Sequence, residues 1–141
     1  MIKVFSVSDT TPAAASTVAG DTFTGLGDFD AIAVVANLIG ATGGTLDVYL
    51  QTSHDGGTTW YDWAHFPQLA AAAGAIKYRF SVPSAGDFGP TVIGAGTSPA
   101  LAANTVVGGV WGDRMRALYV AGASTSAGAA ITIDILAYKR A

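Results

Sequence analysis

The chain of 141 residues contains no cysteine and no glutamate, only two histidines and five prolines, and just 12% charged side chains. Soluble domains average about 25%. Without cysteine there can be no disulfide, thiol nucleophile, iron–sulfur cluster or thiolate zinc site. His54 and His65 are too few for a histidine-rich metal cage, so neither a metal nor a cofactor is expected. Seven basic residues against ten aspartates give a net charge of −3, which argues against a phosphate-binding surface and a nucleic-acid partner. So little charge raises the question of what covers the outside of the folded chain.

A membrane is a poor answer. The longest uncharged stretch, residues 88–112, is broken by Pro90, Pro99 and several glycines. A spanning helix needs about 20 predominantly apolar residues with every backbone bond satisfied internally. Residues 1–7, Met-Ile-Lys-Val-Phe-Ser-Val, lack the charged, apolar and cleavage regions of a signal peptide. The expectation is a soluble protein with no membrane partner, made in a cytoplasm.

What is present is strand periodicity. Half of the residues are hydrophobic, and they alternate. Ile76, Tyr78, Phe80 and Val82 oppose Lys77, Arg79 and Ser81; Ile131, Ile133 and Ile135 oppose Thr132 and Asp134; Leu46, Val48 and Leu50 oppose Asp47, Tyr49 and Gln51. Such alternation marks half-buried strands, because successive side chains point to opposite faces. Further candidates are 2–7, 16–24, 29–38, 59–66, 105–111 and 114–121. Only the alanine run 68–74 could form a helical turn, and the glycines at 40–44 read as a hairpin loop. Many short strands between Gly, Pro, Asp and Ser clusters predict an all-β, single-domain antiparallel β-sandwich over residues 1–141, jelly-roll-like, with long Gly/Ala-rich loops. A closed up-and-down barrel is the alternative. Segments 8–20 and 83–104 read as extended arms or loops, and loops of the second length are usually functional.

One motif is sharp. Ser53-His54-Asp55-Gly56-Gly57-Thr58-Thr59-Trp60 resembles the Asp-box, Ser-x-Asp-x-Gly-x-Thr-Trp. Physically it suits a tight reversal between strands 45–52 and 59–66. Asp55 can accept hydrogen bonds from turn amides, and the glycines reach positive φ without a Cβ penalty. Ser53, Asp55, Gly57, Thr59 and Trp60 are therefore assigned to a structural turn. A sialidase-type propeller, where Asp-boxes recur once per blade, needs at least four blades of roughly 40–50 residues. The chain is too short for that.

Beyond the turn, alternation places Tyr61, Trp63 and His65 on one face and Trp60, Asp62, Ala64 and Phe66 on the other. Exposed rings would suit a sugar-stacking platform; rings between core and subunit contact would suit an assembly. Arg114 and Arg116 share a strand face and are candidates for an interface or an internal ion pair. Asp21, Asp28 and Asp30 lack the spacing of a calcium loop. Asp47 and Asp62 form only a formal carboxylate pair, and no nucleophile elbow supports a Ser–His–Asp triad. No catalytic residue is assigned, and the chain is expected not to be an enzyme.

The hairpin of residues 46–62, the closing strands 114–120 and 131–135, and the Ala/Gly/Thr-rich, cysteine-free composition resemble small virion proteins of tailed bacteriophages. The resemblance implies a structural protein of the capsid-decoration (cement) type, found at the virion's capsid surface. Its implied partners are the major capsid protein and further copies of itself, a homotrimer more than a dimer. A carbohydrate- or receptor-binding module of a fibre or tail is the other reading. In either case low charge reads as surface destined to face other molecules.

Overall fold

A computed structural model describes residues 2–39, 43–69, 76–83, 94–107 and 111–139, with the side chains of 38–39 and 76–83 left aside. Nine strands follow one another: β1 (Ile2–Thr10), β2 (Thr17–Thr24), β3 (Ala31–Ile39), β4 (Leu46–Ser53), β5 (Tyr61–His65), β6 (Ile76–Pro83), β7 (Thr105–Val106), β8 (Arg114–Ala121) and β9 (Ala130–Tyr138). They form two sheets, β1-β9-β3-β6 and β2-β8-β4-β5-β7, and all strand pairings are antiparallel.

The order has a simple origin. β1 pairs with β9, β2 with β8, β3 with β6 and β4 with β5. Setting the two-residue β7 aside, these pairs make one long ribbon that folds over on itself, the jelly-roll winding of an all-β sandwich. Its tip is the β4–β5 turn, where the sequence placed its sharpest motif.

Alternation decides what lies between the sheets. Ile32, Val34 and Ala36 of β3 and Ile131, Ile133, Ile135 and Ala137 of β9 face Leu46, Val48 and Leu50 of β4 and Met115, Ala117, Tyr119 and Ala121 of β8 across one core. Trp63, Phe66, Leu69 and Trp111 close one part of it, and Phe23, Leu26 and Phe29 another. The Trp111 indole N–H donates to the Leu26 carbonyl (3.0 Å), so its polar edge is satisfied where its ring is buried.

The sequence expectations need four corrections. Segment 8–20 narrows to a connection over 11–16: residues 17–20 begin β2, as the strand expected at 16–24, and residues 8–10 complete β1, because hydroxylic Ser8 and Thr10 continue the alternation on the exposed side. The strand expected at 105–111 is only Thr105–Val106, with 108–110 outside the described residues. The return strand begins at Tyr61, since Trp60 serves the turn. Segment 83–104 is not a free arm where it is described, because 94–101 is bonded to the sandwich. Residues 84–93, most of the alanine run (70–75) and residues 40–42 lie outside the described set.

The two sheets differ on their outer faces. Over β4, β5 and β8 the β2-β8-β4-β5-β7 sheet is covered there by the segment that leads into β7, where Leu101 packs with Tyr49 and Leu118 in a second apolar cluster. On the other sheet, β1 presents Ile2, Val4, Ser6, Ser8 and Thr10 outward. Beside them in register stand Tyr138, Leu136, Asp134, Thr132 and Ala130, then Ala31, Ala33, Val35 and Asn37. Asp134 is the one charged side chain in that array. Among the described residues no helix occurs, so none is long and apolar enough to cross a membrane.

Candidate functional site

The ribbon tip is built by side chains that replace missing strand partners. Asp55 Oδ1 accepts from the backbone N–H groups of Thr58 (3.1 Å) and Thr59 (2.8 Å) and from the Ser53 hydroxyl (2.8 Å). Ser53 Oγ in turn accepts from the Gly57 N–H at 2.8 Å. Gly57 has φ +94°, and a Cβ there would also meet Arg114 Nη1 at 3.3 Å and the Trp60 ring at 3.4 Å. The Trp60 indole N–H donates to the Gly57 carbonyl at 2.9 Å, laying its ring over the turn. These bonds hold the Asp55 carboxyl down at a pKa of about 2, the Thr59 amide first, then the Thr59 and Ser53 hydroxyls. Ser53 and Asp55 are thereby occupied in the turn, as is Thr59 through its amide.

Beside the tip, β5 breaks its alternation. Leu50 pairs with Ala64 but Gln51 pairs with Asp62, leaving Trp63 as the extra residue of a bulge. Trp63 and Ala64 therefore both enter the core, whereas Asp62 and His65 point to the outer face. This corrects the expected faces. Tyr61 is 40% exposed, but Trp63 is 2% and His65 6% exposed, and Trp60 is buried over the turn. Of the three rings expected on one face, only Tyr61 is open to solvent: Trp63 enters the core, and the bulge turns His65 to the opposite face.

Asp62 organises what lies over that face. Its Oδ2 accepts from the backbone N–H groups of Gly94 (2.8 Å), Ala100 (2.8 Å) and Leu101 (3.1 Å), and its Oδ1 from Gln51 Nε2 (3.0 Å). Gln51 also donates to the Gly96 carbonyl at 2.8 Å and accepts from Arg116 Nε at 3.0 Å. The Arg116 guanidinium lies 4.6 Å from the Trp60 ring centroid, and burial lowers its pKa. Arg116 is thus a strut within the domain. Arg114, one face-repeat away, lies against the turn at Gly57.

A second polar group continues along β4 and β5. His65 Nε2 lies 3.0 Å from Asp47 Oδ1 and Nδ1 lies 2.7 Å from the Leu101 carbonyl, so both ring nitrogens face acceptors. The Tyr49 ring stacks on the imidazole at 3.8 Å between centroids. Burial first, then the charges of Asp47 and Asp62, push the Tyr49 hydroxyl up to about 12. Gln68 donates to the other Asp47 oxygen at 2.9 Å. The formal pair Asp47 and Asp62 is therefore split between two tasks, and both tasks hold the 94–105 segment in place. Among the described residues, no group of three His, Cys, Asp or Glu gathers as a metal site.

Close backbone contact completes the region. A Cβ on Gly112 would fall 1.7 Å from the Ser53 carbonyl oxygen, and the Gly112 N–H donates to Thr52 Oγ1 at 2.8 Å. Gln51 and the clamping role of Asp62 were missed at the level of sequence. Their signal was a polar pair facing each other across the hairpin, legible only once a covering segment is known to lie above it.

No protein-family model matches the chain, and no curated protein matches it in sequence. Solved structures do match in shape. The infectious bursal disease virus VP2 subviral particle aligns over 98% of this chain and 33% of its own, with TM-score 0.52 and 9% identity. A Bacillus endospore appendage protein, of a family of disulfide-linked pili, aligns over 99% of this chain and 89% of its own, with TM-score 0.44 and 12% identity. This chain spans about a third of the viral protein it matches. At such identities the likeness is one of fold alone.

Proposed function

We propose that the chain is a non-enzymatic structural protein of a phage virion, a decoration protein that binds the major capsid protein as a homo-oligomer and stabilises the shell from outside. The observation that carries this reading is the outer face of the β1-β9-β3-β6 sheet. It presents exposed Ile2 and Val4 beside half-buried Leu136, Tyr138 and Val35 and several hydroxyls; Asp134 lies among them, and β6 at the far margin brings Arg79 and Lys77 into register with Val35 and Asn37. The opposite sheet has its outer face covered over β4, β5 and β8 by the segment that leads into β7, and Gln51, Asp62 and His65 hold that cover. Large exposed apolar patches mark interaction surfaces, and symmetric self-association is the common way to bury them. The resemblance in sequence to small phage virion proteins supplies the biological setting: synthesis in the host cytoplasm and residence on the capsid surface.

The mechanism needs area and symmetry and no reacting group. A sandwich bonded across capsomer boundaries resists their separation, so shells should tolerate more heat or internal pressure when it is bound. The test adds purified chain to shells lacking it. Expected are saturation at a fixed copy number per capsomer and a raised shell disruption temperature. Shells that neither bind the chain nor gain stability would overturn the reading.

A further inference from the structure

Four strands lie at sheet margins, and three of them are guarded against pairing. β7 is two residues long. β2 changes register between Ala19 and Thr22, a bulge that holds Gly20 and Asp21. β6 carries Lys77, Arg79 and Pro83 in its sequence. These are the usual devices that stop a free edge from recruiting another strand. β1 is guarded less: it carries Lys3 and Asp9 on its inner side, Asp9 accepting from the Tyr119 hydroxyl at 2.6 Å, but it runs nine residues in unbroken register with β9 and has no proline and no bulge. Its Ile2 and Val4 are 63% and 59% exposed.

Its sequence is also complementary to itself. Laid antiparallel on a second copy with Ser6 opposite Ser6, Ile2–Thr10 sets Lys3 against Asp9, Val4 against Ser8 and Phe5 against Val7, each pair occurring twice. Lys3, Phe5, Val7 and Asp9 share one face of the strand, so unlike charges and apolar groups meet on the same side. Sliding the register in either direction separates Lys3 from Asp9. The hydrogen-bonding phase agrees. The Thr11 N–H donates to the Ala129 carbonyl at the end of the β1–β9 ladder, and alternation back from there turns the amides and carbonyls of Ile2, Val4, Ser6, Ser8 and Thr10 to the free edge. Beneath that edge an open cleft of about 550 Å³ separates β1 from β2, lined by Lys3, Phe5, Val7, Asp21 and Phe23 among others.

We propose that β1 is a homodimerisation edge: two copies pair antiparallel through Ile2–Thr10 about a two-fold axis at Ser6, joining their β1-β9-β3-β6 sheets into one eight-stranded sheet. This goes beyond the proposed function, since the pairing forms whether or not a capsid is the target. It builds even-numbered assemblies, where the sequence resemblance suggested a trimer. It also joins the two apolar outer faces into one continuous surface, with Val4 and Leu136 of each copy near the axis.

The absence of cysteine makes the register directly testable. Cα atoms of facing antiparallel residues lie about 4.5–5.5 Å apart, within disulfide reach. Mild oxidation of the full chain carrying Ser6→Cys should give a covalent dimer. Ser8→Cys should not, because its two copies are displaced by four residues, roughly 13 Å along the strand. Sedimentation of the unmodified chain should show dimers or their multiples. Val4→Pro removes an edge amide that the monomer does not use, so it should yield a folded monomer. Lys3→Asp places like charges opposite each other twice and should weaken association at least about tenfold.

A monomer for the unmodified chain, an odd-numbered oligomer, or equal cross-linking of the Ser6→Cys and Ser8→Cys variants would overturn the proposal. So would an oligomer indifferent to both Val4→Pro and Lys3→Asp, or a β1 edge paired only with a different protein. A failure to bind shells would leave it untouched and bear only on the proposed function.

Discussion

Asp62→Ala removes the acceptor on which the 94–101 segment hangs. Three backbone N–H groups and the Gln51 amide converge on the carboxylate at 2.8–3.1 Å, and the residue is 2% exposed. An unmet buried donor costs about 1–3 kcal/mol. Four such losses do not add, because donors in one network relax together, and the segment can lift to let water in. The expected loss is about 3–4 kcal/mol, which for a domain of this size lowers Tm by about 10–15 °C. Asp62→Asn keeps the shape but turns an NH2 group against either Gln51 Nε2 or the three amides, so its loss should be about half as large. Denaturant titration measures both variants, and amide hydrogen exchange locates the damage. The Gly94, Ala100 and Leu101 amides should exchange about 100-fold faster in Asp62→Ala, while core β9 amides change least. A loss below about 1 kcal/mol with those three amides still protected would refute the role given to Asp62.

Four further outcomes are expected. Gly57→Ala forces a Cβ onto a residue at φ +94° beside Arg114 and Trp60, and should cost about 1–2 kcal/mol in denaturant midpoint analysis. Gly112→Ala, whose Cβ would fall 1.7 Å from the Ser53 oxygen, should be worse and lower soluble yield. The Asp55 pKa of about 2 is depressed, so its stabilisation is present above its unfolded value near 4 and lost as pH falls towards 2; Asp55→Asn should flatten that limb of the acid-unfolding curve. Tyr49, pushed up to about 12, acts in the opposite sense: its contribution is present below about 10 and lost as pH rises towards 12, and Tyr49→Phe should remove this limb from an alkaline titration.

The strands were legible because their apolar residues alternate, and β4, β8 and β9 fall within a residue or two of expectation. The Ser53–Trp60 turn was legible because local hydrogen bonding depends on residues close in sequence. The faces of β5 were not, because a bulge at Trp63 is set by what β4 presents and leaves the two-residue period unmarked in the chain. The covering of β4, β5 and β8 by 94–107 was hidden for a related reason: the segment is held by Asp62 and His65, more than 30 residues before most of it. The charge deficit, which raised the question of what covers the surface, divides accordingly. On one sheet the chain covers β4, β5 and β8 itself, and on the other Ile2, Val4, Leu136 and Tyr138 form the face that the proposed function assigns to a neighbour.

The central claim is that this neighbour is other protein in a virion shell. The most direct measurement is quantitative mass spectrometry of purified particles produced by the genome that encodes the chain, with its copy number taken relative to the major capsid protein. The proposed function predicts a fixed, near-integer ratio that persists through gradient purification and agrees with outward-facing density in electron cryomicroscopy of the same particles. Absence of the chain from particles, or a few copies at a single vertex, would contradict it.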